Sequence, residues 1–171
     1  GRANQVARAL QAQGVRKGDV VAMSLENRAA FFFVWLAINK LGAIAAFMNT
    51  YIQGKPLVHS LNVTNAKFVV VGEECASLYA ATQELPALTY MHWPDAERPA
   101  DPAVLAQFGP SLEQLSADLD TSNGPSEWRE GVVGGDTAQY IFTSGTTGLP
   151  KAAVVSHARW LMSGESMQVL W

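Results

Sequence analysis

Short apolar, β-branched runs recur along this chain, each separated from the next by a stretch with helical spacing. That alternation restricts the fold more than any other feature. Val20 to Leu25, Ala43 to Met48, Lys67 to Val71 and Leu88 to Met91 read as strands. Between them the spacing predicts helices. One runs from Arg28 to Leu41, with Asn27 placed to cap it and Gly42 to stop it. Another runs from Pro56, at a first-turn position, to about Asn65. A third spans Glu73 to Glu84, where two acids suit the positive helix end and Pro86 stops the run. An earlier helix carries Val6, Ala7 and Leu10 and closes at Gly14. Strand–helix–strand units of this length specify a layered α/β fold, with a mostly parallel sheet, packed helices and right-handed crossovers.

Ala29 to Ile38 is an unbroken apolar run, so helix 28–41 is expected to be buried. Residues 29–48 also match the length of a membrane span. Asn39-Lys40 falls in the middle, however, and a mid-bilayer lysine costs at least about 2.5 kcal/mol. A buried helix followed by a buried strand is the better reading. The aromatic cluster Phe31, Phe32, Phe33 and Trp35 is likewise read as core packing rather than an acyl tunnel. Charged residues are only 16% of the chain, against about 25% in ordinary domains. Some apolar surface is therefore expected to be covered by other protein. The net charge of −3 disfavours nucleic-acid binding. A single cysteine, Cys75, excludes an intrachain disulfide and a cysteine-cluster metal site, and it reads as a small buried hydrophobe. The 171 residues open at Gly1 and close at Trp171 inside an apolar helical stretch, and are read as a piece of a longer protein. Residues 92–135 are rich in proline, glycine and acids, and are expected to form an irregular excursion with one helix, Ser111 to Ala117, capped by Ser111.

Asp136 to Lys151 carries the chemistry: Asp-Thr-Ala-Gln-Tyr-Ile-Phe-Thr-Ser-Gly-Thr-Thr-Gly-Leu-Pro-Lys. Ala138 to Phe142 has strand character. Thr143, Ser144, Thr146 and Thr147 then crowd hydroxyls around Gly145, and Gly148 and Lys151 follow. Glycines let backbone N–H groups close on an anion. Hydroxyls add donors, and lysine adds positive charge on a flexible stem. Together these suit a polyphosphate. The string is not a Walker loop, because Lys151 stands three beyond Gly148 and Ala152 takes the hydroxyl's place. Ala152 to Ser156 continues as a strand, so the loop at 143–151 joins two strands without a helix dipole behind it. It is expected to be exposed and mobile. A plain surface hairpin is the competing reading, since these are ordinary turn residues. The whole string is too specific for that.

Thr143-Ser144-Gly145-Thr146-Thr147-Gly148-Leu149-Pro150-Lys151 resembles the phosphate-binding signature of the adenylate-forming superfamily, which includes acyl-CoA synthetases, luciferases and nonribosomal adenylation domains. That pattern places glycine after Pro-Lys. Ala152-Ala153 stand there instead, as in the branch of fatty acid transport proteins and very-long-chain acyl-CoA synthetases. Gly18-Asp19-Val20-Val21-Ala22, Glu26-Asn27-Arg28, Lys40-Leu41-Gly42-Ala43, Asn49-Thr50 and the stretch Leu57 to Val63 follow the order of that branch. The resemblance implies that residues 1–171 are a partial AMP-binding domain, an incomplete part of the large N-terminal domain of an adenylate-forming enzyme. It implies a fatty acid–CoA ligase that uses ATP, Mg²⁺ and coenzyme A. Thr143, Ser144, Gly145, Thr146, Thr147 and Gly148 would hold the β- and γ-phosphates, and Lys151 would act catalytically on the leaving group. The family's adenine-binding stretch, metal-binding acid, hinge and small C-terminal domain would lie beyond Trp171, so this chain alone would complete neither half-reaction. Partners implied are fatty acid, ATP, CoA and the C-terminal portion of the same protein. The implied location is the cytoplasm or the cytoplasmic side of a membrane, with peripheral association allowed.

Three other readings compete. One is a non-catalytic nucleotide-binding remnant. Another is a membrane-associated fatty acid carrier anchored through residues 29–48. The third, a P-loop NTPase, is disfavoured by the missing Lys-Ser/Thr dipeptide. His157, six residues after Lys151, is read as a helix-start residue before a pocket residue, and His59 and His92 stand alone. Ser144 does not meet the G-x-S-x-G nucleophile pattern.

Overall fold

The structure is a computed structural model in which residues 1–143 and 148–169 are described. The chain runs α1 (Arg2–Ala12), β1 (Val20–Ser24), α2 (Ala29–Lys40), β2 (Ile44–Phe47), α3 (Lys55–Val63) and β3 (Phe68–Gly72). A 3₁₀ turn (Glu73–Cys75) leads into α4 (Ala76–Ala80), β4 (Thr89–Trp93), α5 (Pro102–Leu105) and α6 (Leu112–Ser116). A second 3₁₀ turn (Ser126–Arg129) precedes β5 (Thr137–Thr143), β6 (Lys151–Ser156) and α7 (His157–Val169). Among the described residues the strands form one six-stranded sheet in the order β4-β3-β1-β2-β5-β6. All neighbours are parallel except β5 and β6, which are antiparallel.

Every position of β1 and β3 is buried, because helices cover both faces of a parallel sheet. Side chains alternate between two cores. Val21, Met23, Ala45, Val70 and Met91 pack under α1, α2 and α6. Val20, Ala22, Ala46, Val69 and Val71 pack under α3 and α4. The step from β1 to β2 uses the first face. Steps in the opposite direction, β2 to β3 and β3 to β4, use the second. Crossovers of one hand require that division. Residues 92–135 lie along α1, where Asn4 and Gln5 donate to the carbonyls of Thr121, Ala117 and Leu119.

Several expectations need correction. Helix α2 buries Ala30, Val34, Trp35, Ala37 and Ile38, but Phe32 and Leu36 are about half exposed. They lie four residues apart on the stripe away from the sheet, since a helix on a sheet buries one side only. Its N-cap is Arg28, not Asn27, and no side chain caps it. The expected helix 73–84 is shorter. Glu74 is drawn inward by Arg28, and Thr82 Oγ1 donates to Leu78 while accepting the Gly54 N–H, which ends the run. Strand β4 starts one residue late and extends to Trp93. Helix α6, by contrast, is capped by Ser111 as expected, with the hydroxyl accepting the Gln114 N–H. Helix α5 was not anticipated; Asp101 caps it. Residues 29–48 form a twelve-residue helix and then a strand, and no described helix is long and apolar enough to cross a membrane.

Candidate functional site

The five parallel strands end together at Ser24, Phe47, Gly72, Trp93 and Thr143, which makes that end of the sheet the place where an α/β fold collects a ligand. Strand β5 delivers Thr143 there, and β6 leaves from Lys151. The two residues are paired across the hairpin, and both are exposed. Of the residues singled out from the sequence, Thr143, Gly148 and Lys151 are brought to this end. Ser144, Gly145, Thr146 and Thr147, and with them the expected mobility of the loop, lie outside the described residues. Gly148 has φ +86, a conformation that L side chains rarely adopt, with open space where a Cβ would stand. No carboxylate among the described residues pairs with Lys151, so its charge is available to an incoming anion.

Two clefts flank this end. One, of about 590 Å³, lies over the ends of β1 and β2 with Leu25, Phe31, Phe47, Met48 and Tyr51 in its wall. The other, of about 530 Å³, lies over the ends of β1 and β4 and is lined by Glu26, Arg28, Asp95, Glu97 and Arg98. Its two arginines are already committed. Arg28 holds Glu74 at 2.7 Å and Arg98 holds Glu26 at 2.7 Å. The hydrogen bond from Arg98 keeps the Glu26 carboxyl below its ordinary pKa. Burial would raise Asp95, but the Glu97 N–H and the charges of Arg28 and Arg98 bring it below its ordinary value. With its cations neutralised and carboxylates in its wall, this cleft repels a polyphosphate. Lys151, by contrast, has no carboxylate partner among the described residues.

His157 is the first residue of α7. Strand β6 runs away from the loop, and six residues at about 3.4 Å each put His157 roughly 20 Å from Lys151, at the opposite end of the sheet. It therefore starts a helix and does not meet the loop. His92 Nδ1 lies 3.0 Å from the Gly109 carbonyl. His59 is different. Its Nε2 is 3.1 Å from the Pro150 carbonyl oxygen, next to Lys151. Sequence reasoning missed this contact because its partners are 91 residues apart and neither type signals it. Cys75 is buried, and its thiol is pushed up to about 12 by burial first and then by the Glu74 and Glu26 charges. It is no nucleophile here. Among the described residues no cluster of three His, Cys, Asp or Glu side chains is placed to hold a metal ion.

Comparison with known proteins agrees with this architecture. The chain is 38% identical, over 93% of its length, to the medium/long-chain-fatty-acid–CoA ligase FadD6 of Mycobacterium tuberculosis, and covers 24% of that protein. It is 34% identical over 92% of its length to long-chain fatty acid transport protein 2 of Rattus norvegicus, covering 25% of it. The chain thus spans about a quarter of the length of these curated relatives. The crystal structure of the N-terminal domain of FACL13 from Mycobacterium tuberculosis superposes with a TM-score of 0.69 at 28% identity, over 91% of this chain and 35% of that one. Residues 1–171 match the AMP-binding enzyme family over their whole length, and the chain belongs to that family.

Proposed function

We propose that this chain is part of a fatty acid–CoA ligase and carries its ATP phosphate-binding loop. In that reaction the fatty acid carboxylate attacks the α-phosphorus of Mg-ATP, and the bond to pyrophosphate breaks. The CoA thiolate then attacks the acyl carbonyl and AMP leaves. The first step brings an anion to a polyanion, so positioned donors and cations must offset the repulsion and stabilise the leaving pyrophosphate. Lys151 is the cation proposed for that task. Thr143, Ser144, Gly145, Thr146, Thr147 and Gly148 are proposed to hold the β- and γ-phosphates, and Mg²⁺ enters with the nucleotide. One observation carries the reading: the β5–β6 hairpin sets Lys151 beside Thr143 at the carboxyl end of the parallel strands, with no carboxylate among the described residues paired with it. The similarity to a fatty acid–CoA ligase supports the substrate class.

Residues 1–171 are proposed to be one part of the AMP-binding domain, working in the cytoplasm or on the cytoplasmic face of a membrane. The rest of the protein is proposed to cover the exposed apolar face made by Phe32 and Leu36 of α2 and Trp160 and Leu161 of α7. Trp160 already meets Trp35 edge-on at 4.8 Å, which joins the two helices into one surface.

Lys151→Ala in the full-length protein tests the assignment by single-turnover kinetics. Loss of one positioned donor to a developing charge costs roughly 10²–10³ in rate. Adenylation is expected to slow by about 10²-fold, and thioester formation from preformed acyl-adenylate by less than about tenfold. Equal slowing of both steps counts against a role for Lys151 specific to the first one.

A further inference from the structure

We infer that His59 is a positioning residue that sets the direction of Lys151 through the Pro150 carbonyl. Its consequence for catalysis rests on the phosphate-loop reading above; the tether itself does not. His59 sits in the middle of α3, between Leu57 and Leu61, which are each only 1% exposed and fix the helix in the core. Its half-buried ring reaches the residue that precedes β6, the edge strand, which among the described residues pairs only with β5. The Pro150 oxygen can only accept, so Nε2 must carry the proton in the 3.1 Å contact. Both the neutral Nε2–H tautomer and the doubly protonated ring satisfy that condition, so the tether does not depend on the charge of the ring.

The geometry of the peptide unit does the rest. The Pro150 carbonyl and the Lys151 N–H belong to one planar group. The proline ring fixes φ, leaving ψ to orient that plane. A donor on the carbonyl therefore fixes the plane and the direction in which the chain enters Lys151. Pairing with Thr143 holds Lys151 from the β5 side, and His59 holds the preceding residue from the α3 side. The downstream foot of the loop is thus tied to the core and does not depend on the edge strand alone.

Three measurements on the full-length protein test this. The ring ¹⁵N spectrum of the native chain should show Nε2 protonated; an Nδ1–H tautomer overturns the proposal. Amide hydrogen exchange in segment 149–153 should run about fivefold faster in His59→Phe, the size of effect one net hydrogen bond gives, and return to the native rate in His59→Gln, whose side-chain amide can donate. Exchange that is unchanged in His59→Phe, or faster by the same factor throughout the chain, overturns it. If His59→Phe does not fold, the ring spectrum and the His59→Gln rates decide. Mg-ATP is expected to slow exchange in segment 149–153 of the native chain, and to do so less in His59→Phe. Should Mg-ATP leave the native segment unchanged, the phosphate reading fails for this chain, while the tether stands or falls on the first two measurements.

Discussion

Replacing Glu74 by alanine should destabilise the chain by about 2–3 kcal/mol, less than the roughly 3–5 kcal/mol for removing one partner of a fully buried ion pair. The structure sets that figure. The Glu74 side chain has no exposed surface, while Arg28 keeps 25% of its own. The carboxylate accepts the Glu26 N–H at 2.9 Å, Arg28 Nε at 3.1 Å and Arg28 Nη2 at 2.7 Å. Arg28 Nη1 also donates to the Pro94 carbonyl at 2.8 Å, so the pair joins the ends of β1, β3 and β4. In Glu74→Ala one main-chain N–H loses its acceptor and a guanidinium loses its counter-charge. Water reaching Arg28 recovers part of the loss, which places the expectation below the buried-pair range. Urea unfolding followed by circular dichroism reads the effect. With m of about 2 kcal/mol/M, the midpoint should fall by roughly 1–1.5 M. Arg28→Met combined with Glu74→Leu removes both charges and should cost less than Glu74→Ala alone. A midpoint shift below about 0.3 M in Glu74→Ala, or a double variant as unstable as the sum of the single ones, refutes the reasoning.

Two further outcomes follow from buried groups. With its thiol pushed up to about 12 from an ordinary 9.0, Cys75 should resist thiol reagents at pH 8 until the chain unfolds. Because the folded value is the higher one, its contribution to stability is fully present below pH 9.0 and is lost as pH rises toward about 12; Cys75→Ala should flatten that part of the unfolding profile. A native chain that labels rapidly at pH 8 contradicts the burial. Tyr79→Phe strands the buried Ser24 hydroxyl that lies 2.6 Å from the phenol oxygen, and should cost about 1–2 kcal/mol in urea melts. Adding Ser24→Ala should recover part of that loss, and no recovery would break the assignment.

What the sequence disclosed followed from local periodicity. Strands β1 and β3 were legible because both faces are covered and every position is apolar or small. Helix α2 was legible in existence, but not in its half-exposed face, since an apolar run does not say which side meets the sheet. Helix α4 was read too long because Glu73 and Glu74 look like favourable first-turn acids, whereas Glu74 turns inward to Arg28, 46 residues away. The candidate site divides in the same way. Thr143, Gly148 and Lys151 come from one continuous string and were visible at once. The side chain that reaches that string, His59, comes from another helix, and only the tertiary fold brings it there.

The pairing of Thr143 with Lys151 also bears on how the segment between them can change. Its two ends are held together by the sheet before anything binds, so the entropy of bringing them together is met during folding. Closing a flexible loop costs only about 0.6 kcal/mol more for each doubling of its length. Folding therefore tolerates a range of lengths for residues 144–150. Under the phosphate-loop proposal, a narrow length requirement there would reflect the size of the bound group rather than the cost of folding.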